Sequence, residues 1–196
     1  MQLRKHKIKF SRISHIFISH LHGDHFFGLP GLISTFRLLG REKELHIYGP
    51  QGIKEAITLM LKLGNSWTNY PLIFHELTEN SSERIFEDEK VFVDTISLDH
   101  RIYTNGFLFR EKHGERKLNI DAVKRHQIDL AYYRKIKAGE NVVLEDGQII
   151  TNKELTFDPP RPWSYAYCSD TAYKPDLVSY LKGIRVMYHE ATFLES

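Results

Sequence analysis

The sequence predicts an α/β fold, with α+β layering as its near alternative, and two features carry that expectation. Short runs rich in β-branched and aromatic residues alternate with segments of helical period, with neither repeats nor low complexity. The polar residues best suited to chemistry stand directly after those apolar runs rather than inside them. A third feature sets the domain organisation. Helical segments between Lys112 and Asp158 fall outside the main alternation, so residues 112–158 read as an insertion, a basic arm and a hairpin. Residues 1–111 and 159–196 then form the main domain.

Bulk properties agree with a globular chain. At 196 residues, 41% hydrophobic and 12% aromatic, the protein is large enough for a sizeable core and too apolar for disorder. No apolar run reaches the roughly 18 residues that a membrane span needs. Met1-Gln2-Leu3-Arg4-Lys5-His6 lacks the apolar centre of a secretion signal. The single cysteine, Cys168, allows no intrachain disulfide, which points to a cytoplasmic setting; mid-strand, it reads as core.

Element by element, His15-Ile16-Phe17-Ile18-Ser19 is a buried strand delivering the polar loop His20 to His25. Phe26 to Leu39 is helical, interrupted early by Gly28-Leu29-Pro30-Gly31. Leu45 to Tyr48 is a strand ended by Gly49-Pro50. A helix from Gln51 to Lys62 follows, with Ile53, Ile57, Met60 and Leu61 on one face and Gly64 as its stop. Leu72 to Leu77, Val91 to Leu98 and Gly106 to Phe109 are strands, with a polar loop at Glu79-Asn80-Ser81-Ser82-Glu83. Within the insertion, Asn119 caps a helix from Ile120 to Ile128, Leu130 to Lys137 is a second basic segment, and Asp146-Gly147 turns a hairpin. Trp163 to Cys168, a helix near Asp176 to Leu181 and a strand Arg185 to Tyr188 complete the order.

Charge is unevenly spread. From Met1 to Arg12 stand five basic residues and no acid, and from Arg110 to Lys137 nine basic residues face four acids. A solvated helix face is the ordinary explanation of such a run, but beside a metal site it also suits a polyanion such as RNA.

The chemistry concentrates in His20-Leu21-His22-Gly23-Asp24-His25. Alternate side chains of an extended loop point the same way, so His20 and His22 can grip one ion while Asp24 and His25 serve a second, with Gly23 freeing the bend between the pairs. Nitrogen and carboxylate donors without a thiolate favour Zn²⁺ or Mn²⁺ in an open, catalytic site. Two such ions about 3.5–4 Å apart can activate a water and clamp phosphoryl oxygens. The remaining donors must come from distant strand ends: His100 after Thr95 to Asp99, Asp170 after Tyr165 to Ser169, and His189-Glu190 after Arg185 to Tyr188. A histidine or aspartate at one strand end is ordinarily a cap or turn residue. Three in the same placement beside the histidine cluster point to ligands.

The cluster resembles the His-x-His-x-Asp-His signature of the metallo-β-lactamase superfamily. Phe17 to His25 with Gly28-Leu29-Pro30-Gly31-Leu32 behind it, Tyr48-Gly49-Pro50-Gln51-Gly52, Asp99-His100, Gly106-Phe107, Ser169-Asp170-Thr171 and His189-Glu190-Ala191-Thr192 are similar to ribonuclease Z, in family order. The resemblance implies an αβ/βα sandwich and two zinc ions. His20, His22 and His100 would hold the first, Asp24 and His25 the second, and Asp170 would bridge. Asp24 would orient or deprotonate the attacking water, and Glu190 would position a catalytic histidine. The reaction implied is endonucleolytic removal of the 3′ trailer of precursor tRNA, leaving a 3′-hydroxyl. The basic arm would grip the tRNA through Lys112, Arg116, Lys117, Lys124, Arg125, Arg134, Lys135 and Lys137. A homodimer, each arm serving the other subunit's site, is implied too.

The sequence departs from that pattern in three places. The glycine-rich opening with Asp-Cys-Gly-x-Gly-Thr is absent before Gln2, the His-Ser-Thr motif and last ligand histidine are absent after Thr192, and the arm lacks its Gly-Pro near Leu130-Ala131. These departures imply an incomplete sandwich, with the first ion better held than the second and weak or no nuclease activity unless another chain completes the site. Two rival readings stand beside the nuclease: another phosphodiesterase of the same fold acting on a small cyclic or diester phosphate, and a non-catalytic RNA-binding relic.

Overall fold

In a computed structural model, residues 2–78 and 82–190 are described. The chain divides into two compact units, residues 1–86, 93–109 and 165–196 in the first and residues 87–92 and 110–164 in the second.

Unit 1 opens with a short helix α1 (Gln2–Lys5) and strand β1 (His15–Phe17). The loop His20–His22 follows, then α2 (Gly23–Phe26) and α3 (Gly28–Leu38). Gly28-Leu29-Pro30-Gly31 therefore opens a helix instead of interrupting one. Pro30 lies in the first turn, where a backbone N–H has no acceptor to lose. Next come β2 (Leu45–Pro50), α4 (Ile53–Leu63) and β3 (Leu72–Leu77). Strand β2 runs through Gly49-Pro50, which pair with Glu76 and Leu77, so these residues are the strand's last two rather than the break beyond its end at Tyr48. At the end of α4 the left-handed residue is Asn65, φ 49°, while Gly64 keeps φ −83°. The chain turns there on asparagine, which tolerates that region better than most residues.

Strands β1, β2 and β3 make a parallel sheet. Ile53, Ile57 and Leu61 of α4 and Leu29, Ile33 and Phe36 of α3 are buried with Leu45 and Ile47 of β2 in one cluster, covering one face of the sheet. These are helical-period faces set against a strand buried almost throughout.

A second sheet is built from β4 (Arg84–Glu87), β5 (Val91–Ser97), β6 (Asn105–Glu111), β11 (Ser164–Cys168) and β12 (Val186–His189), in the order β12-β11-β6-β5-β4. Strand β4 has no counterpart among the strands expected from sequence, because Arg84 and Glu87 flank only two apolar residues. Helix α8 (Leu177–Leu181) places Leu177 in a cluster with Ile96, Leu98, Leu108, Ala166 and Cys168. Between the sheets lies an aromatic layer: Phe17 sits 5.4 Å from Phe107 and 5.2 Å from Phe109 by ring centroid. Unit 1 is thus layered helix, sheet, sheet, helix.

Unit 2 has its own small core of Ala122, Val123, Ile128, Ile136, Val142, Ile150 and Leu155. Its elements are β7 (Lys117–Leu118), α5 (Ile120–Arg125), α6 (Tyr133–Lys137), β8 (Val142–Val143), β9 (Ile149–Ile150), α7 (Asn152–Leu155) and β10 (Thr156–Phe157). Asn119 caps α5 by accepting from the Ala122 N–H at 3.3 Å. Gly147, at φ 84°, turns the β8–β9 hairpin where Asp146-Gly147 marks it. Buried Asn152 donates to the carbonyls of Ile136 and Glu140 at 2.6 and 2.9 Å, tying the hairpin's base to α6.

Candidate metal centre

Three strand ends of unit 1 lead into the centre, and His22, Asp24 and His25 follow on the loop and the turn of α2 beyond the first of them. Strand β1 gives way to Ile18-Ser19-His20, β5 to Leu98-Asp99-His100, and β11 to Ser169-Asp170. A strand fixes the exit direction of the next residues, and three strand ends drawn from both sheets, with β6 lying between β5 and β11, bring their side chains into one volume. Hydrogen bonds lock the loops together. The Asn105 N–H donates to the Ser19 carbonyl at 3.1 Å, the Asp99 N–H to Thr171 Oγ1 at 3.1 Å, and the Ala172 N–H to the Asp99 carbonyl at 2.6 Å. Lys174 Nζ adds bonds to the Ser97 carbonyl and hydroxyl. Gly106 lets β6 and β11 close up, since a Cβ there would sit 2.7 Å from the Tyr167 carbonyl oxygen.

His20, His22, His100 and Asp170 converge, with one ligand-type atom from each within 4.8 Å of all the others. Ring centroids of His20 lie 4.8 Å from His22, 5.2 Å from His100 and 4.1 Å from His25. His22 Nδ1 and His100 Nε2 are 3.3 Å apart. Asp170 divides its oxygens, Oδ2 3.6 Å from His20 Nε2 and Oδ1 3.4 Å from His25 Nε2. Asp24 Oδ2 lies 3.2 Å from the same His25 nitrogen, on a carboxylate that is largely exposed. Asp24 and His25 are set by the single turn of α2, so the loop gives way to helix after His22. Gly23 serves space rather than φ: a Cβ there would meet the Phe27 ring at 2.3 Å, and its backbone is not left-handed.

The donor set fits a divalent cation. His20 is fully buried, and its Nε2 has no hydrogen-bond partner among the described residues. Burial, then the neighbouring His25, pushes the His20 imidazole down to about 4 against a partial lift from Asp170, so near neutrality Nε2 can offer a lone pair. Nitrogen and carboxylate donors with no thiolate suit zinc or manganese.

Glu190, expected from sequence to position a catalytic histidine, accepts a hydrogen bond from the Thr171 N–H through Oε1 and so braces the loop that carries Asp170. His189 is exposed, its Nδ1 2.6 Å from the Glu190 carbonyl. Ala191 and Thr192 lie outside the described residues. Two residues the sequence did not single out stand at the centre: Ser19 Oγ is 3.0 Å from His20 Nδ1, and Ser169 Oγ is 3.3 Å from His25 Nδ1. Both lie in stretches that carry the family resemblance, but that resemblance assigned neither a role; each directly precedes a ligand-type residue after a strand.

The eight basic residues of the insertion fall into two groups. Lys112 pairs with Glu87 at 2.6 Å, and Arg116 pairs with Asp158 and donates from Nε to Thr156 Oγ1, so both work inside unit 2. Lys117, Lys124, Arg125, Arg134, Lys135 and Lys137 are exposed.

A family model described as "Anti-Pycsar protein Apyc1" matches residues 1–146. The chain is 48% identical over its whole length to a protein of Bacteroides fragilis named Ribonuclease Z, and covers 64% of it. It is 45% identical to the Ribonuclease Z of Bacteroides thetaiotaomicron, with 100% of this chain and 62% of that protein covered. For the Ribonuclease Z of Porphyromonas gingivalis the identity is 44%, with 99% and 64% covered. The chain thus spans less than two thirds of these relatives' length. Among solved structures, human tRNase Z, short form, is similar with a TM-score of 0.52 and 37% identity, over 57% of this chain and 49% of that one. That likeness identifies the layered unit as part of a metallo-β-lactamase αβ/βα sandwich.

Proposed function

The chain belongs to the family described as Anti-Pycsar protein Apyc1, and, given that its curated relatives are named Ribonuclease Z, we propose that it works as a metal-dependent endoribonuclease removing the 3′ trailer of precursor tRNA. The observation that carries this reading is the buried His20 Nε2, without a hydrogen-bond partner among the described residues, facing Asp170 beside two further histidines. His20, His22 and His100 would hold one zinc ion and Asp24 with His25 a second, with Asp170 contributing to both; manganese suits the same donors. When bound, the ions supply Lewis acidity toward a water and the phosphoryl oxygens.

The chain's own residues do the rest. Asp24, exposed beside His25, accepts a proton from the attacking water. The water oxygen bonds to phosphorus, the bond from phosphorus to the ribose 3′-oxygen breaks, and that oxygen takes up the proton Asp24 received and leaves as the tRNA 3′-hydroxyl, the trailer keeping the phosphate. Glu190 holds the Asp170 loop in place through Thr171. The exposed basic residues of unit 2 take the tRNA phosphates. A homodimer and a cytoplasmic setting belong to this reading.

A precursor tRNA transcript with a 3′ trailer, incubated with the chain and zinc or manganese, tests it. One cut leaving a 3′-hydroxyl is expected, slowed about 10²–10⁴-fold by Asp24→Ala. Scattered cuts, or a rate indifferent to Asp24→Ala, would refute it. A second reading is another phosphodiesterase of the same fold, acting on small cyclic or diester phosphates. Faster turnover of a small chromogenic diester than of tRNA would select it.

A further inference from the structure

A histidine can bind a cation through one ring nitrogen only if the proton stays on the other. We infer that Ser19 and Ser169 are the positioning residues that hold that proton on Nδ1 of His20 and His25, turning both Nε2 lone pairs toward the centre. The inference rests on the metal-dependent reading above.

Each sheet of unit 1 supplies one of the two serines. Ser19 lies two residues beyond β1 of the first sheet, and Ser169 directly follows β11 of the second. Ser19 is 3% exposed and Ser169 1%, so neither hydroxyl exchanges its partner freely for water. Hydrogen-bond direction at Ser169 is decided by its second partner. The hydroxyl has one proton, and it donates to Asp170 Oδ1 at 3.3 Å. Toward His25 Nδ1, at 3.3 Å, Ser169 Oγ can therefore only accept, which places the ring proton on Nδ1. His25 Nε2 is then a bare lone pair facing Asp24 Oδ2 at 3.2 Å and Asp170 Oδ1 at 3.4 Å. Three acceptors so close together repel unless a cation stands among them. At His20, Ser19 engages Nδ1 at 3.0 Å, while Nε2 has no hydrogen-bond partner among the described residues and faces Asp170 Oδ2 at 3.6 Å. One serine thus orients a ring of each proposed ligand set, and Ser169 also holds the carboxylate shared between them.

Zinc affinity, read by competition with a chromophoric chelator, tests the inference on the chain and on Ser169→Ala, Ser19→Ala, Ser169→Thr and Ser19→Thr. We expect each alanine variant to bind zinc about 10–100-fold more weakly, with the threonine variants, which keep the oxygen, restoring most of the loss. Proton–nitrogen spectra of the zinc-loaded chain should show protected Nδ1–H signals for His20 and His25, with the His25 signal broadened by exchange in Ser169→Ala. A purely packing role would leave that signal unchanged. Parent-like affinity and spectra in the alanine variants would overturn the inference while leaving the metal-dependent reading intact. Failure of the parent chain itself to bind zinc would overturn both.

Discussion

Burying a neutral imidazole with one nitrogen unpaired costs about 1–3 kcal/mol, and unit 1 carries that cost at fully buried His20. A cation at the centre would remove the cost and add its own binding energy to folding. Zinc at 100 times its dissociation constant should therefore raise stability by about 2.7 kcal/mol. Asp170→Ala, which removes the carboxylate reaching both His20 and His25, should abolish most of that gain. Thermal melts with and without zinc, alongside metal content per chain, check this; an unchanged zinc-induced rise in the variant would contradict it. The residues that converge are legible in the sequence because two different signals found them. His20 and His22 show themselves by spacing, and His100 and Asp170 by standing after apolar runs. Ser19 and Ser169 give no comparable signal, since a serine after a strand is commonplace and the partner of Ser169, His25, lies 144 residues away.

Among the elements, the strands and helices that read clearly are those with one buried face of regular period. Strand β3 matches its sequence limits, and α4 buries the face its spacing predicts. Two-residue strands such as β7 and β10 are too short for any period to show, and exist through pairing with each other. Close pairing also sets the cost of change at Gly106. A Cβ 2.7 Å from a backbone oxygen cannot be relieved by turning a side chain, so Gly106→Ala should destabilise unit 1 by about 1–3 kcal/mol, read from the urea midpoint. The face of β1, β2 and β3 that meets the second sheet carries a different sensitivity. His15 stacks on His46 at 4.8 Å, His46 Nδ1 meets His75 Nε2 at 2.9 Å, and Glu44 Oε1 holds His46 Nε2 at 3.1 Å. Burial, then the charge of His46, lowers the His75 pKa below its ordinary 6.5. A group less basic folded than unfolded takes up protons preferentially in the unfolded chain. Its contribution is complete above pH 6.5 and lost as pH falls from there toward the lower folded value. The parent should accordingly lose more stability between pH 7.5 and 5 than His75→Gln; equal losses in matched urea titrations would refute that assignment.

At the scale of the whole chain, each unit has its own core, and the division of labour proposed for them makes separable demands on charge. The metal-centre residues all belong to unit 1 and the exposed basic residues of α5 and α6 to unit 2. Changing Lys124, Arg125, Arg134 and Lys135 together to glutamine removes four exposed charges while leaving Ile136, Ala122 and Val123 of the unit 2 core in place. Cleavage of precursor tRNA should fall steeply, and its dependence on salt should flatten by about 0.7–0.9 in log–log slope for each phosphate no longer neutralised. Hydrolysis of a small chromogenic diester, which presents no extended phosphate backbone, should persist. Arg116→Gln should behave in the opposite way. Its guanidinium serves Asp158 and Thr156 within unit 2, so the expected effect is a lower unfolding midpoint with little change in salt slope. If instead the fourfold variant cuts tRNA like the parent, the charge of the insertion is a solvated face, and recognition of the RNA must come from unit 1.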